Sequence, residues 1–196
     1  MCALVAAGCA PAPRAARDVI RDGAEAWNAW RAANPDAALD LAAADLSGLP
    51  LDSANLAGAD LSGAVLRDAS LRKADLSGAN LARAVLAEAD ASEANLTGAT
   101  LSGADLNGAT LAAAVLDGAD LQDANLRECL LAGAVLARAN LRNAELAGAD
   151  LSNANIDHIV HWDAVLSYQN TNIYRVVLAP AGFKDFATEH GARKSG

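Results

Sequence analysis

Apolar residues recur at every fifth position through the middle of the chain. One slot holds Leu at 22 of its 24 positions from 41 to 156, and the exceptions are Ala91 and Ile156. Two residues before this Leu slot, from 39 to 154, the residue is Ala except at Leu39, Leu49 and Cys129. The residue between the two apolar slots is most often Asp or Asn. The hydrophobic pattern therefore has a period of five and continues without an insertion.

A period of five fits neither common element, because an amphipathic helix repeats every 3.6 residues and a half-buried strand every two. What remains is a coil that turns a corner every five residues, with Leu and Ala pointing inward. The position two residues after the Leu slot is Gly ten times, which accounts for ten of the chain's fifteen glycines. Gly supplies the positive φ that a type II turn requires. Where this slot holds Lys73, Arg83 or Glu88, we expect a turn that keeps φ negative.

Residues 39–166 resemble the pentapeptide-repeat family, as in residues 59–63 (Ala-Asp-Leu-Ser-Gly) and 149–153 (Ala-Asp-Leu-Ser-Asn). The resemblance implies an all-β solenoid, a right-handed quadrilateral β-helix with four pentapeptides per coil. The repeats then make about six to seven coils, and six coils span roughly 29 Å at a strand spacing of about 4.8 Å. A short capping helix is expected at each end, because solenoid ends expose unpaired strand edges.

The flanks differ from the repeat in composition, since they hold the large aromatic residues. We therefore divide the chain into a leader or tail, an N-terminal capping helix, the pentapeptide-repeat β-helix, and a last irregular coil with a C-terminal capping helix. The boundaries of these four segments are residues 1–14, 15–38, 39–168 and 169–196.

The predicted N-terminal helix occupies residues 15–34. Ile20, Trp27 and Trp30 fall on one helical face, so this helix is expected to press both tryptophans onto the first coil. Asn34 precedes Pro35 and ends the helix, because the residue before proline avoids helical backbone angles.

Beyond Ile156 the repeat loosens. His161 is expected in a Leu slot and Leu166 keeps the phase, whereas residues 171–173 and 176–178 repeat the phrase two residues out of step. We therefore predict a partial further coil with a bulge near residues 168–170. Pro180 and Gly191 bracket a final helix, and residues 192–196 are expected to be loose. The apolar side of this helix is formed by Phe183, Phe186 and Ala187.

The leader leaves two expectations open. Residues 4–9 (Leu-Val-Ala-Ala-Gly-Cys) resemble the end of a bacterial lipoprotein signal, in which Cys9 would be lipidated. The protein is expected in the cytoplasm if Met1 is the true start, and otherwise as an exported protein anchored through Cys9. The apolar run is too short to span a bilayer.

No residue set indicates catalysis. The three cysteines show neither a disulfide framework nor a metal-binding spacing, and Cys129 is expected to be a buried thiol in an Ala slot. His158 and His161 with Asp157 and Asp163 form the one cluster to consider for a metal. The alternative is a surface His at a turn and a second His that closes the last regular coil. We predict a protein without catalytic residues, cofactor or metal.

The negative charge lies on the repeat. Residues 39–156 hold sixteen acidic and seven basic residues, a difference of −9 that equals the net charge of the whole chain. Nucleic-acid binding is therefore disfavoured. Pentapeptide-repeat proteins that protect DNA gyrase from quinolones resemble duplex DNA in width and charge, so the resemblance implies an acidic DNA mimic as one function. Stacking by twenty predicts two acidic columns, containing Asp40, Asp60 and Asp120, and Asp45, Asp105 and Glu145.

The preferred function is a non-enzymatic protein-interaction scaffold, with an unidentified protein or a second copy as partner. Stacking by twenty places Val115 beside Val135 on one edge, and Leu130 on the adjacent face of the same coil as Val135. We predict that these three apolar side chains form an interaction surface.

Overall fold

The computed structural model describes residues 15–194. Between Asp40 and Val160, parallel bridges join residues twenty apart, such as Asp40 with Asp60 and Asn140 with Val160. The bridging residue is always the one between the Ala and Leu slots. Because successive bridging residues are five apart, four pentapeptides make one coil and each contributes one side of a square rod.

Four faces follow from the bridge ladders, and we name them A to D. No bridge within residues 15–194 extends into a longer strand, so each face is a stack of single bridging residues. Face A runs from Asp40 to Val160, face B from Asp45 to Ser167, face C from Pro50 to Asn172, and face D from Asn55 to Val177.

Each coil is tied to its neighbours by backbone hydrogen bonds. The Leu41 N–H donates to the Asp60 carbonyl at 2.8 Å, and the Asp60 N–H donates to the Leu39 carbonyl at 2.9 Å. At the corner, the Ala44 N–H donates to the Leu41 carbonyl at 3.0 Å. The backbone is thus hydrogen-bonded both within the corner and between coils, which fixes the register.

The Leu and Ala slots fill the rod. Every Leu-slot side chain from 41 to 156 is at most 2% exposed. Burying one Leu contributes on the order of 1.5–3 kcal/mol. Cys129 is fully buried in its Ala slot, as predicted, and burial raises the pKa of its thiol.

The predicted negative φ at three non-glycine corners is wrong. Lys73, Arg83 and Glu88 have φ values of 57°, 58° and 60°. The residue at this corner donates its N–H to the next coil, as Arg83 does to the Ser102 carbonyl at 2.9 Å. Because the ladder fixes the backbone direction, non-glycine residues adopt the left-handed conformation here despite its steric cost.

The N-terminal segment contains two helices rather than the one helix predicted. Helix α1 spans Ala16–Val19, a 3-10 turn follows at Ile20–Asp22, and helix α2 spans Ala24–Ala33. Gly23 separates them with φ of 93°. Trp27 is fully buried, and Trp30 stacks on it with ring centroids 5.4 Å apart.

Side chains of this segment hydrogen-bond the free edge of the first coil. Trp27 Nε1 donates to the Asn55 carbonyl at 2.6 Å, and the Asn55 N–H donates to Asn28 Oδ1 at 2.7 Å. Arg17 donates to the Ala42 carbonyl at 2.8 Å. On face C the bridging residue is Pro50, which has no N–H to leave unpaired. The helices therefore replace hydrogen bonds that a preceding coil would make.

The bulge predicted near residues 168–170 is misplaced. Bridges lengthen from twenty to twenty-two residues between Val160 and Ser167, where Trp162–Ala164 forms a 3-10 turn. His161, predicted in a Leu slot, is exposed with φ of 55°. Leu166 is 64% exposed, and Tyr168 occupies the inward position instead at 1% exposure.

The last coil is closed by helix α3, Phe183–Glu189. Phe183 and Ala187 are buried, while Leu178, which the repeat phase would point inward, is 64% exposed. The expectation of a loose terminus is wrong at Arg193, which bridges to Asn172 on face C. Its N–H donates to the Thr171 carbonyl at 2.7 Å.

Cys9, the predicted lipidation site, lies outside the described residues. Within the part of the chain that the structure describes, no helix is long and apolar enough to cross a membrane.

Candidate interaction surface

The outward Asp and Asn side chains hold the corners together. Asp60 Oδ1 accepts the Ser62 N–H at 3.0 Å, two residues on, and bridging Asp and Asn residues along the rod repeat this bond. Asn80 Nδ2 also donates to Asp60 Oδ1 at 3.1 Å across one coil. These Asp and Asn side chains therefore cap the backbone amides two residues on.

The predicted acidic columns lie on faces A and B. On face A, Asp40 pairs with Arg17 at 2.8 Å, and this hydrogen bond lowers the pKa of Asp40. On face B, Glu145 pairs with Arg127 at 3.1 Å. Both pairs neutralise acids at the ends of their columns. The carboxylates of Asp60, Asp120 and Asp105 instead accept hydrogen bonds from the amides of Asn80, Asn140 and Asn125.

The predicted apolar residues lie around the corner between faces C and D. Val115 bridges Val135 on face D, and Leu130, 47% exposed, bridges Thr110 on face C. The eight outward residues that these two coils place at this corner lack charge. We call this surface the apolar corner, and it consists of Thr110, Ala112, Ala113, Val115, Leu130, Ala132, Gly133 and Val135.

Polar coils border the apolar corner on both sides. In the preceding coil, Asp90 pairs with Arg72 at 3.0 Å and Glu93 pairs with Lys73 at 3.6 Å. In the following coil, Asp150 accepts a hydrogen bond from the Ser152 N–H at 2.8 Å. An apolar patch with a polar rim is typical of a protein-binding surface.

Apolar character continues along face D toward the C-terminal end. Asn155 bridges Val135 on one side and Val177 on the other, and Val177 is 47% exposed. Tyr174, 39% exposed, lies at the corner before Val177. We call this surface the apolar strip. It consists of Val115, Val135, Val177 and Tyr174, and it includes Asn155, which lies between Val135 and Val177.

A cleft of about 480 Å³ lies at the corner that follows face D, next to the apolar strip. Asp117, Ala137, Arg138, Asp157 and His158 line it. Arg138 Nε donates to Asp117 Oδ1 at 2.9 Å, and this pairing raises the pKa of Arg138. His158 Nδ1 lies 2.7 Å from Asp157 Oδ1. We call this feature the acidic cleft.

In the described residues, no metal site is formed by the four residues considered from the sequence, His158, His161, Asp157 and Asp163. His158 contacts Asp157, whereas His161 is exposed after the insertion point. Across residues 15–194, no three His, Cys, Asp or Glu side chains are arranged to hold a metal ion.

The sequence profile described as pentapeptide repeats matches the chain in eight copies. The matched segments are residues 44–81, 79–118, 94–131 and 119–157, which together cover more than half of the chain. This chain belongs to the pentapeptide-repeat family.

Solved structures of other pentapeptide-repeat proteins are similar to this one. A trypsin-treated form of QnrB1, a plasmid-mediated fluoroquinolone resistance protein, has a TM-score of 0.54 at 21% identity, covering 80% of this chain and 77% of that chain. This likeness implies the same right-handed quadrilateral β-helix. No curated protein sequence matches the chain significantly.

Two further structures are pentapeptide-repeat proteins from other organisms. One from the Arabidopsis thaliana thylakoid lumen is 26% identical over 68% of this chain and 87% of its own, with a TM-score of 0.45. HetL, involved in heterocyst differentiation regulation in the cyanobacterium Nostoc, is 34% identical over 71% of this chain and 78% of its own, with a TM-score of 0.30. Pentapeptide-repeat proteins are generally structural or interaction proteins.

Sequence reasoning found three residues of this pentapeptide-repeat surface and missed their surroundings. The missed residues are the small corner residues between Leu130 and Val135 and the later members of the strip, Tyr174 and Val177. The first group could have been found by comparing outward slots twenty residues apart, which shows that residues 110–115 and 130–135 of two successive coils lack charge. Tyr174 and Val177 follow the two-residue insertion, so a fixed period places them incorrectly.

Proposed function

We propose that this pentapeptide-repeat protein is a non-enzymatic interaction scaffold that binds a partner protein at the apolar corner. The observation that carries the proposal is that this corner lacks charge in two successive coils and is bordered by charged residues in the coils before and after it. Hydrogen-bonded ladders hold Val115, Leu130 and Val135 in place, so binding costs little backbone ordering.

The apolar corner is too small to form a whole interface, so we place it at the centre of a larger contact. Two coils are about 10 Å high, whereas each partner in a stable complex buries about 800 Å². Apolar residues at the centre of an interface contribute most when a polar rim excludes water. The bordering acids, including Asp90, Glu93 and Asp150, would form that rim.

The test introduces a charge at the centre of the apolar corner. Leu130→Asp and Val135→Asp are expected to remove the specific partner from a pull-down and to shift the sedimentation profile of its complex. Both side chains are partly exposed, so the melting temperature should stay within about 2 °C of wild type, as surface substitutions usually change stability by about 0.5 kcal/mol or less.

The matched control is Thr100→Asp, which adds the same charge at a bridging position on face A. It is expected to leave the pull-down unchanged. Retention of the same partner by both corner variants, with an unchanged sedimentation profile, would contradict the proposal.

The acidic surface favours a second candidate function, a DNA mimic that acts on gyrase as expected for a quinolone-resistance protein. The net charge of −9 has the required sign. Spread over about 29 Å, it gives about one charge per 3 Å, whereas duplex DNA carries one per about 1.7 Å. Arginines neutralise Asp40 and Glu145 at the ends of the two columns, which shortens both. The weaker field makes this the second candidate.

A gyrase supercoiling assay separates the two functions. A DNA mimic is expected to inhibit supercoiling or to relieve quinolone inhibition, with a loss of effect at higher salt. Under the scaffold proposal, the protein leaves supercoiling unchanged with and without quinolone.

A further inference from the structure

We infer that the apolar strip and the acidic cleft together bind an amphipathic helix of a partner protein, with apolar residues along one side and a basic residue beside them. This inference rests on the proposed function and adds the shape and charge of the partner. The feature that supports it is the parallel arrangement of an apolar column and an acidic corner on the same side of the rod.

The spacing of the strip fits a helix that lies along the rod. Val115, Val135, Asn155 and Val177 are successive rungs of one ladder, so about 14 Å separates the first from the last. A helix rises 5.4 Å per turn, and about ten residues cover this length. Its i, i+3, i+7 and i+10 side chains would therefore meet successive rungs, since helices bury an apolar stripe against flat sheet surfaces.

Asn155 interrupts the strip, and its side-chain oxygen is already paired. Its Oδ1 atom already accepts the Asp157 N–H at 3.0 Å. A polar group that keeps an internal hydrogen bond costs less to bury than an unpaired one. A helix covering Val135 and Val177 would therefore pass over Asn155 without leaving that acceptor unpaired.

The acidic cleft determines the charge of the partner. It holds the carboxylates of Asp117 and Asp157 against the single guanidinium of Arg138, a formal charge of −1 with His158 counted as neutral. Arg138 is bound to Asp117 by two hydrogen bonds, which leaves Asp157 with His158 as its close side-chain contact. Asp157 is 44% exposed, so a Lys or Arg side chain can reach it.

Long-range electrostatics favour a basic partner over a second copy. Each copy carries a net charge of −9, so two copies repel one another as they approach. A basic helix is attracted by the same field. The partner chemistry is therefore an apolar stripe with Lys or Arg at its border.

The experiment uses a fluorescein-labelled peptide of Leu and Lys, about 18 residues or five turns long, with Leu at helical spacing on one side. One comparison peptide replaces every Lys with Glu. A second keeps the Leu and Lys composition but distributes Leu around the helix. Fluorescence anisotropy with the full chain is expected to show tighter binding of the first peptide than of either comparison peptide.

Val135→Asp provides the decisive comparison, because it adds a negative charge while disrupting the strip. Docking on the strip predicts that affinity for the Leu–Lys peptide falls about tenfold, equivalent to about 1.4 kcal/mol. Attraction by charge alone predicts that affinity rises. Thr100→Asp adds the same charge on face A and is expected to leave affinity unchanged or slightly higher.

Two further variants test the ends of the proposed site. Val177→Asp, at a 47% exposed position, repeats the strip test if Val135→Asp lowers the melting temperature. Asp157→Asn is expected to weaken the Leu–Lys peptide several-fold and to reduce its advantage over the Glu peptide.

Equal or higher affinity of Val135→Asp and Val177→Asp for the Leu–Lys peptide overturns the inference, as does equal binding of the Glu peptide. These results are distinct from failure of the scaffold proposal. If the corner variants lose a partner in the pull-down while peptide binding is independent of the strip, the scaffold remains and its partner is not a basic amphipathic helix.

Discussion

The regular coils from Asp40 to Val160 and the segment from His161 to Lys194 form their cores with different side chains. Each regular coil buries Leu and Ala, and each one after the first is hydrogen-bonded to a coil on either side. The terminal segment instead packs aromatic rings, with Tyr168 and Phe183 centroids 6.0 Å apart and Trp162 and Phe183 centroids 5.8 Å apart. A coil with two neighbours is stable with small apolar residues, whereas the end uses the larger buried area of aromatic rings.

The two regions also differ in how they accept extra residues. Between Asp40 and Val160 every bridge spans twenty residues, while the bridge from Glu145 to Ser167 spans twenty-two. The extra residues form the 3-10 turn at Trp162–Ala164, which packs against Phe183 and Phe186. An insertion in the middle would have to be matched by coils on both sides, so the end is where irregularity is least costly.

The strongest test of this difference is Phe183→Ala, which removes a 1% exposed ring from the terminal core. Loss of a buried Phe typically costs about 3–5 kcal/mol. Hydrogen exchange is expected to show early opening of residues near Tyr168 and Ile173, while coils near Leu101 remain protected, because solenoid coils interact with nearest neighbours.

The matched variant is Phe186→Ala, which removes a half-buried ring from the same helix. It should destabilise the protein less than Phe183→Ala. Uniform loss of protection along the rod in Phe183→Ala would mean that the end and the regular coils unfold as one unit.

The sequence could predict that the terminal coil is shifted, but not where. Residues 171–173 repeat the Ala-x-Leu phrase two positions late, which reveals an insertion before them. Ala164 and Leu166 preserve the apparent phase and point to a later insertion. In the structure Leu166 is exposed, because the 3-10 turn has already changed the chain direction. The five-residue period predicts where inward positions should recur along the chain. In the terminal coil, packing of the aromatic rings determines which residues point inward.

The inside of the regular coils could be predicted almost residue by residue, because period five leaves one inward arrangement. Stacking by twenty also predicted the outward pairs Val115 with Val135 and Asp40 with Asp60. The acidic cleft was not predicted. It depends on Arg138 reaching Asp117 and on Ala137 being small, which are properties of side-chain packing rather than of slot position.

Ala91→Leu tests the regular core at the one Leu slot that holds Ala. Ala91 is 2% exposed, and its N–H donates to the Thr110 carbonyl at 2.7 Å, equal to the corresponding bonds of Leu86 and Leu96. The coil therefore keeps the hydrogen-bond geometry of its neighbours, and a small apolar void is expected beside Ala91. Filling it should raise the free energy of unfolding by about 1 kcal/mol, measured by urea denaturation.

The control is Ala94→Leu, in the Ala slot of the next repeat. Ala94 is fully buried, so the added side chain should overpack the core and destabilise the protein by about 1–3 kcal/mol. Equal effects at the two positions would show that the Leu and Ala slots do not differ in available space.

The corner backbone was the least predictable feature of the regular coils. Composition alone suggests that Gly marks positive φ, yet thirteen non-glycine residues from Ala43 to Asn153 also adopt it. The difference arises because each corner N–H is held by the next coil, as for Glu88 with the Asn107 carbonyl at 3.0 Å. Local preference at Lys73, Arg83 and Glu88 is therefore overridden by the ladder.

Arg83→Gly measures the free-energy cost of the left-handed conformation at a non-glycine corner. It has the smallest expected effect of these substitutions. Arg83 has φ of 58°, so Gly would remove a left-handed backbone cost of about 1–2 kcal/mol. The more flexible unfolded chain would offset about 0.4–1 kcal/mol, leaving a stabilisation of about 0.5 kcal/mol.

The reverse change is Gly98→Ala, where φ is 64° and an added Cβ meets no atom within 4 Å. Because there is no steric contact, Gly98→Ala isolates the backbone cost and should destabilise by a similar amount. Urea denaturation of both variants checks the pair. Destabilisation by Arg83→Gly together with stabilisation by Gly98→Ala would mean that these corners carry no left-handed strain.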